Sequence, residues 1–157
     1  MTLRPDLTVA AVVERDGQFL LVEERVGNRM VFNQPAGHVE RGEQFIEAVV
    51  RETLEETAWT FRPQALIGIY LWEQTERQRS FLRVTYVGEV TDHDPDRPLD
   101  RGIERAVWLT RDQIVATIDD AEYVQSIVQA RGNLAVENAN HARAKSLLET
   151  KRTKVPA

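Results

Sequence analysis

Glu52, Glu55 and Glu56 carry the clearest chemistry in the sequence. They lie in a stretch, Glu43 to Thr57, that holds no proline or glycine. Ile46, Val49, Val50, Thr53, Leu54 and Thr57 recur there at helical spacing as a less polar face, with Glu47, Glu52, Glu55 and Glu56 outside it. At about 100° per residue, the three glutamates project within an arc of roughly 100°. Like charges at i,i+3 and i,i+4 each destabilise a helix by roughly 0.2–0.5 kcal/mol, so such a cluster calls for a compensating charge. A hard divalent cation supplies one, because it takes several oxygen ligands. Carboxylates with no thiolate nearby favour Mg²⁺ or Mn²⁺ over zinc. The competing reading is a solvated face. Arg51 follows Glu47 by four residues and precedes Glu55 by four, which permits a salt-bridge ladder.

The residues upstream favour the cation. Gly37 sits in a Pro- and Gly-containing loop, and the polar segment His38 to Gly42 leads from it into the helix. A glycine there lets the backbone approach a ligand closely, and its carbonyl can coordinate a cation.

Gly37, Glu43 and the run Arg51-Glu52-Thr53-Leu54-Glu55-Glu56-Thr57-Ala58-Trp59 together resemble the Nudix box. That motif is Gly, five residues, Glu, seven residues, Arg-Glu, an aliphatic, any residue, Glu-Glu, any residue, Gly and an aliphatic. Gly37, Glu43, Arg51, Glu52, Glu55 and Glu56 match at the right spacing. Thr53 stands where the motif has an aliphatic, and Ala58 where it has the glycine that ends the helix. Alanine in the left-handed conformation costs on the order of 1 kcal/mol, so a slightly different helix exit is expected.

The resemblance implies an α+β fold, the Nudix α/β/α sandwich of mixed β-sheets with a central catalytic helix. It implies metal-dependent hydrolysis of nucleoside di- or triphosphates or related organic pyrophosphates, with water attacking phosphorus. On the same ground Glu52, Glu55 and Glu56 are metal ligands for Mg²⁺ or Mn²⁺, helped by the Gly37 carbonyl. Glu43 and Arg51 orient loop and helix, and Glu55 and Glu56 serve as ligand and base in either order. A distal acidic residue completes such sites. Glu104 is the candidate, with Asp100 its competitor.

A narrower resemblance lies in Phe32 to Glu40, with Trp72 and Phe81-Leu82-Arg83 downstream. These residues are similar to the NudJ-type phosphatases of that family, which release orthophosphate from nucleotides and thiamine-pathway pyrophosphates. Arg83, in an otherwise apolar strand, is then either a phosphate contact, since its planar fork matches phosphate oxygens, or a solvent-facing strand residue. Tyr70 and Trp72 alternate with Ile69 and Leu71, and their face is either a platform for a base or pyrimidine ring or part of the sheet packing. Arg29, with Arg25 behind it, is a further phosphate candidate, and His38 touches phosphate or caps the loop.

Two other functions compete with the hydrolase. A Nudix-fold sensor that binds a nucleotide-like ligand without cleaving it would be expected to lack box glutamates, and all are present. An enzyme acting on RNA 5′ ends would want a basic groove, and the net charge is −5. Only the tail from His141 to Lys154 is basic.

The elements that must position these residues are legible on either side of the helix. Thr8 to Val13 and Phe19 to Val22 flank Asp16-Gly17 as a hairpin. Val31-Phe32 is a short apolar piece, and Asn33 to His38 reads as irregular backbone. A second hairpin is expected from Ala65–Trp72 and Phe81–Val90, a loop from Thr91 to Pro98, and a strand at Ala106–Leu109. Thr110 looks like a helix cap. Beyond Asp119 the pattern is helical, split near Gly132-Asn133. A chain of 157 residues, 42% hydrophobic and 29% charged, fits one domain with a core at about 8–130 and a C-terminal helical extension. It carries no apolar run of membrane length and no signal-peptide pattern at Met1 to Pro5. It has no cysteine, which excludes disulfides and thiolate chemistry and suits the cytoplasm. The expected partner is a small phosphorylated molecule rather than a membrane or nucleic acid, for a monomer or homodimer.

Overall fold

In the computed structural model of the chain, the described residues are 4–74 and 79–117. Strands β1 (Asp6–Arg15) and β2 (Gln18–Val26) form the first hairpin. Its turn residues Asp16 and Gly17 both take positive φ, 53° and 79°. That geometry matches the twist of the flanking strands, and Asp-Gly tolerates it well. Strand β3 (Arg29–Asn33) pairs with β2, and strand β4 (Ala36–His38) pairs antiparallel with Thr8–Ala10 of β1. The irregularity expected over Asn33 to His38 is thus confined to Gln34-Pro35. There the Pro35 carbonyl accepts the Ala11 N–H at 2.9 Å.

Helix α1 (Phe45–Thr57) begins after Gln44, whose N–H donates to Glu47 Oε2 at 2.9 Å. Strands β5 (Trp59–Gln74) and β6 (Arg79–His93) run longer than the sequence suggests. Pro63 interrupts the expected pattern, but the β5–β6 pairing absorbs it with register shifts around Pro63/Ala65 and Leu66/Gly68. Thr91–His93, expected as loop, belongs to β6, and His93 pairs with Trp59. Strand β7 (Ile103–Thr110) leads into helix α2 (Arg111–Thr117). Thr110 caps it as expected, its Oγ1 accepting the Gln113 N–H while its own N–H donates to Gln113 Oε1. The helical pattern beyond Asp119 lies outside the described residues.

The strands make a mixed sheet, β4-β1-β6-β5 with β1 and β6 parallel, and an antiparallel sheet, β3-β2-β7. The far end of β1 joins them through its hairpin with β2. Alternation along β1 and β2 feeds two apolar cores. Val9, Ala11, Val13 and Leu20 pack with Ala48 and Val49 of α1, and Val12, Phe19 and Leu21 pack with Val87 and Ile114 of α2. This is the α+β sandwich of mixed sheets anticipated above. Among the described residues, no helix is long and apolar enough to cross a membrane.

One helix face differs from expectation. The buried residues of α1 are Ala48, Val49, Glu52, Thr53, Glu56 and Thr57, while Ile46 is 52% exposed. The helix is therefore turned so that two of the glutamates face inward. Thr53 and Thr57 are tolerated at the centre because each hydroxyl donates to the carbonyl four residues back, Val49 and Thr53, at 2.7 and 2.6 Å.

Candidate active site

Arg51 organises the carboxylates of the box. Its Nε and Nη2 donate to the two Glu43 oxygens at 2.8 and 3.0 Å. Its Nη1 donates to Glu52 Oε1 at 2.8 Å and Glu55 Oε2 at 2.9 Å. Nη2 also reaches the His38 carbonyl at 2.9 Å, which ties the loop to the helix. Glu43 accepts the Glu40 N–H as well, closing the turn before the helix. The Arg51 hydrogen bond holds the Glu43 carboxyl below its ordinary pKa, outweighing burial. The same pairings push the Arg51 guanidinium further up.

Gly37 has a steric role. A Cβ at this position would lie 2.0 Å from Glu52 Cδ. Only a residue without a side chain lets the Glu52 carboxylate lie against β4. Next to it, Glu56 Oε2 accepts the Ala36 N–H at 2.8 Å. Burial raises the Glu56 pKa to about 8, with Glu52, Glu24 and Asp100 adding to the rise and the Ala36 bond opposing it. Burial also raises Glu52, against the pull of Arg51.

Asp100 is the acidic residue that the chain brings to the helix. Its N–H donates to the Glu55 carbonyl at 3.0 Å. One carboxylate oxygen from each of Glu52, Glu55 and Asp100 lies within 4.8 Å of the others. Three oxygens so placed fit a hard divalent cation, whose oxygen ligands stand 2.0–2.6 Å from the ion. Glu104, the expected distal residue, is turned elsewhere. It accepts from Arg25 Nη2 at 2.8 Å and is about half exposed. Arg25 is thereby an ion-pair partner on the surface, and Arg29 is exposed at the start of β3. In retrospect the sequence separates Asp100 from Glu104 only weakly, by the turn-forming loop around Asp100.

The remaining candidates lie on another face. His38, Thr8, Arg83 and Tyr70 are partners across β4, β1, β6 and β5, so they share one side of the mixed sheet. Val9 and Val84, one residue on, pack toward α1, so this row is on the side away from α1. At about 4.8 Å between strands, Arg83 stands roughly 10 Å from β4. Its guanidinium lies over the Trp72 ring, 4.9 Å from the centroid, and Trp72 stacks on Phe81 at 4.8 Å. Arg79 covers Phe81 at 5.1 Å and pairs with Asp6. The Trp72 indole is thus already engaged by its neighbours. The fold groups the box residues with Asp100 at the β4 side of α1 and groups His38, Arg83 and Trp72 on the opposite sheet face.

The NUDIX domain family model matches residues 3–129. Phosphatase NudJ of Escherichia coli strain K12 is 37% identical over 112 residues, covering 71% of this chain and 72% of that protein. A NUDIX hydrolase from Nitrosomonas europaea is similar at a TM-score of 0.74 and 42% identity, over 85% of this chain and 90% of that one. The NUDIX domain of Shewanella oneidensis NrtR, solved with ADP ribose, shares the fold at a TM-score of 0.69 and 18% identity, over 85% and 90% of the two chains.

Proposed function

The chain belongs to the Nudix hydrolase family and is a pyrophosphate-hydrolysing enzyme, and from that premise we propose a divalent-cation-dependent phosphatase acting on nucleoside di- and triphosphates or related organic pyrophosphates. The observation that carries it is the convergence of Glu52, Glu55 and Asp100. These carboxylates would hold Mg²⁺ or Mn²⁺, helped by Glu56 and the Gly37 carbonyl as the resemblance implies. The bound ion supplies charge neutralisation of the phosphates and a more acidic water.

The chain's own residues have separable tasks. Arg51 keeps the carboxylates gathered despite their mutual repulsion, and Glu43 fixes its fork. Glu56, whose carboxylate is aimed by the Ala36 N–H, is the candidate to take the proton of the attacking water once the cation is bound. His38 and Arg83 are assigned the part of the substrate that passes round β4 onto the other face of the sheet. Release of orthophosphate is favoured by the likeness to a protein named a phosphatase. Thiamine-pathway pyrophosphates are among the substrates we propose to test.

The deciding experiment measures phosphate and pyrophosphate release over a panel of nucleotides and thiamine pyrophosphate, with Mg²⁺, Mn²⁺ or a chelator. Orthophosphate release that stops on chelation is expected. Full turnover after thorough chelation would sink the metal mechanism, and pyrophosphate as the product would sink the phosphatase.

A further inference from the structure

Glu24 of β2 is a carboxylate near Glu56 that the chemistry above leaves unused. It is half-buried, at the register shift between Glu23 and Glu24 in the pairing with β7. Its Oε1 accepts a hydrogen bond from Asn33 Nδ2. Asn33 is the last residue of β3 and opens the segment that ends in Ala36 and Gly37. Downstream, that segment is fastened to β1 through the Pro35 carbonyl and the Ala36–Ala10 pairing. Upstream, Asn33 pairs with Val22 of β2 through the strand ladder, and its side chain adds a second tie, to Glu24. A carboxylate is a poor neighbour for Glu56, but it is a stronger acceptor for an amide than a neutral group is.

We propose that Glu24 and Asn33 form a positioning pair, which fixes the turn that presents the Ala36 N–H to Glu56 and the bare Gly37 backbone to Glu52. It rests on the reading of those carboxylates as the cation site. Neither residue touches substrate; both act through the backbone from Asn33 to Gly37. A displacement of a few tenths of an ångström there matters, because Glu52 packs directly on Gly37.

The test is an exchange of the two functional groups. Asn33→Asp sets two carboxylates against each other. Glu24→Gln keeps an acceptor for the Asn33 amide. The double variant Glu24→Gln/Asn33→Asp reverses donor and acceptor. Two readouts apply: hydrogen exchange of the Ala36 amide by NMR, and Mn²⁺ affinity by EPR of the free ion. Asn33→Asp should speed Ala36 exchange and weaken Mn²⁺ binding, each by about tenfold, the size expected for one charge-assisted hydrogen bond. Glu24→Gln should stay within about threefold in both, and the double variant should recover both. Asn33→Ala removes the donor without adding charge and should speed Ala36 exchange in the same direction, should Asn33→Asp not fold. Unchanged exchange in Asn33→Asp and Asn33→Ala overturns the pair. So does a Glu24→Gln variant that loses Mn²⁺ affinity while its exchange is normal, since Glu24 would then act by its own charge. Wild-type turnover in Glu56→Gln would sink the hydrolytic reading of the carboxylates separately, because the Ala36 exchange result does not depend on it.

Discussion

Arg51 sits among carboxylates and Arg83 among aromatic rings. Both are partly buried, yet they hold their surroundings in different ways. The Arg51 guanidinium makes charge-assisted bonds to Glu43, Glu52 and Glu55 with its side chain 24% exposed. Removing it would leave several acids in mutual repulsion, one of them buried. Arg83 instead lies over the Trp72 ring, with Phe81 and Arg79 continuing the stack toward the end of the hairpin. A cation shared by three carboxylates, one of them buried, is structural and functional together.

The largest effect should therefore come from Arg51→Ala. Breaking a partly buried ion network costs about 2–4 kcal/mol, and turnover should fall by about a hundredfold or more as Glu52 and Glu55 splay. Lysine should recover little, because a point charge cannot hold Glu43 with two prongs. Thermal denaturation and steady-state kinetics together check this. A variant with normal Tm and normal kcat would break the contrast between the two arginines.

Glu56→Gln should separate activity from stability. Turnover should drop by about a hundredfold, the scale for loss of a general base, with the fold intact because glutamine still accepts the Ala36 N–H. The pH dependence sharpens the point. In the cation-free protein Glu56 keeps its proton up to about pH 8, against an ordinary value of 4.5. Between those values the folded chain binds more protons than the unfolded one, so stability falls as pH rises. Its contribution is full below about pH 4.5 and gone above about pH 8. Measured by urea titration, the cation-free wild type should weaken from pH 6 to pH 9, and Glu56→Gln should be flatter over that range. Equal slopes would place the burden on another group.

The same contrast governs how far the sequence could be read. The box is local, so helical spacing alone pairs Arg51 with Glu55, whereas Glu43, which precedes the helix, joins Arg51 only through the resemblance to the motif. The less polar face of the helix departs from the buried one at Ile46, because the inward turn of α1 is set by Gly37 and Ala36 receiving Glu52 and Glu56. A helical pattern counts hydrophobicity and does not register that a glycine elsewhere makes room for a carboxylate. Asp100 and Glu104 are both acidic and close in sequence. What separates them is the fold-back of the loop onto the Glu55 carbonyl and the capture of Glu104 by Arg25. The β5–β6 hairpin was recognised but shortened at both ends, since Pro63 and the polar Thr91–His93 look like breaks until bulges and cross-strand partners are in place.

A smaller effect is expected at Arg83. Arg83→Ala should raise KM by about tenfold and leave kcat nearly unchanged, the signature of lost uniform binding. Trp72→Ala should follow it with a weaker rise, and the double variant should be no worse than Arg83→Ala alone, because the ring acts by steadying the guanidinium. Inorganic tripolyphosphate distinguishes this from stacking of a base. As a ringless competitive inhibitor it should lose affinity in Trp72→Ala as a nucleotide does. If only ring-bearing ligands suffer, Trp72 contacts the ring directly, and the aromatic region is a recognition surface in its own right.

The smallest effect is expected at Ala58, where the box departs from its usual glycine. Ala58 ends α1 in the left-handed conformation, φ 59° and ψ 14°, with its N–H donating to the Leu54 carbonyl at 2.9 Å. Left-handed alanine carries roughly 1–2 kcal/mol of strain, which Ala58→Gly would relieve. Two terms oppose the gain. The methyl group is buried, with the residue only 3% exposed, and losing it costs about 0.8 kcal/mol. The freer unfolded chain of the glycine variant costs roughly 0.4–1 kcal/mol more. The sum lies close to zero, so Ala58→Gly should change stability by less than about 0.5 kcal/mol, the size of an ordinary surface substitution. Turnover should stay within about twofold, because the helix already exits in the conformation that glycine would adopt. Tm and kcat measured side by side decide it. A gain well above 1 kcal/mol would mean that the Ala58 methyl packs poorly and that the chain tolerates real strain at the end of its catalytic helix. A large loss of activity would mean instead that the methyl helps to set the helix end against β5, and with it the position of Glu55 and Glu56.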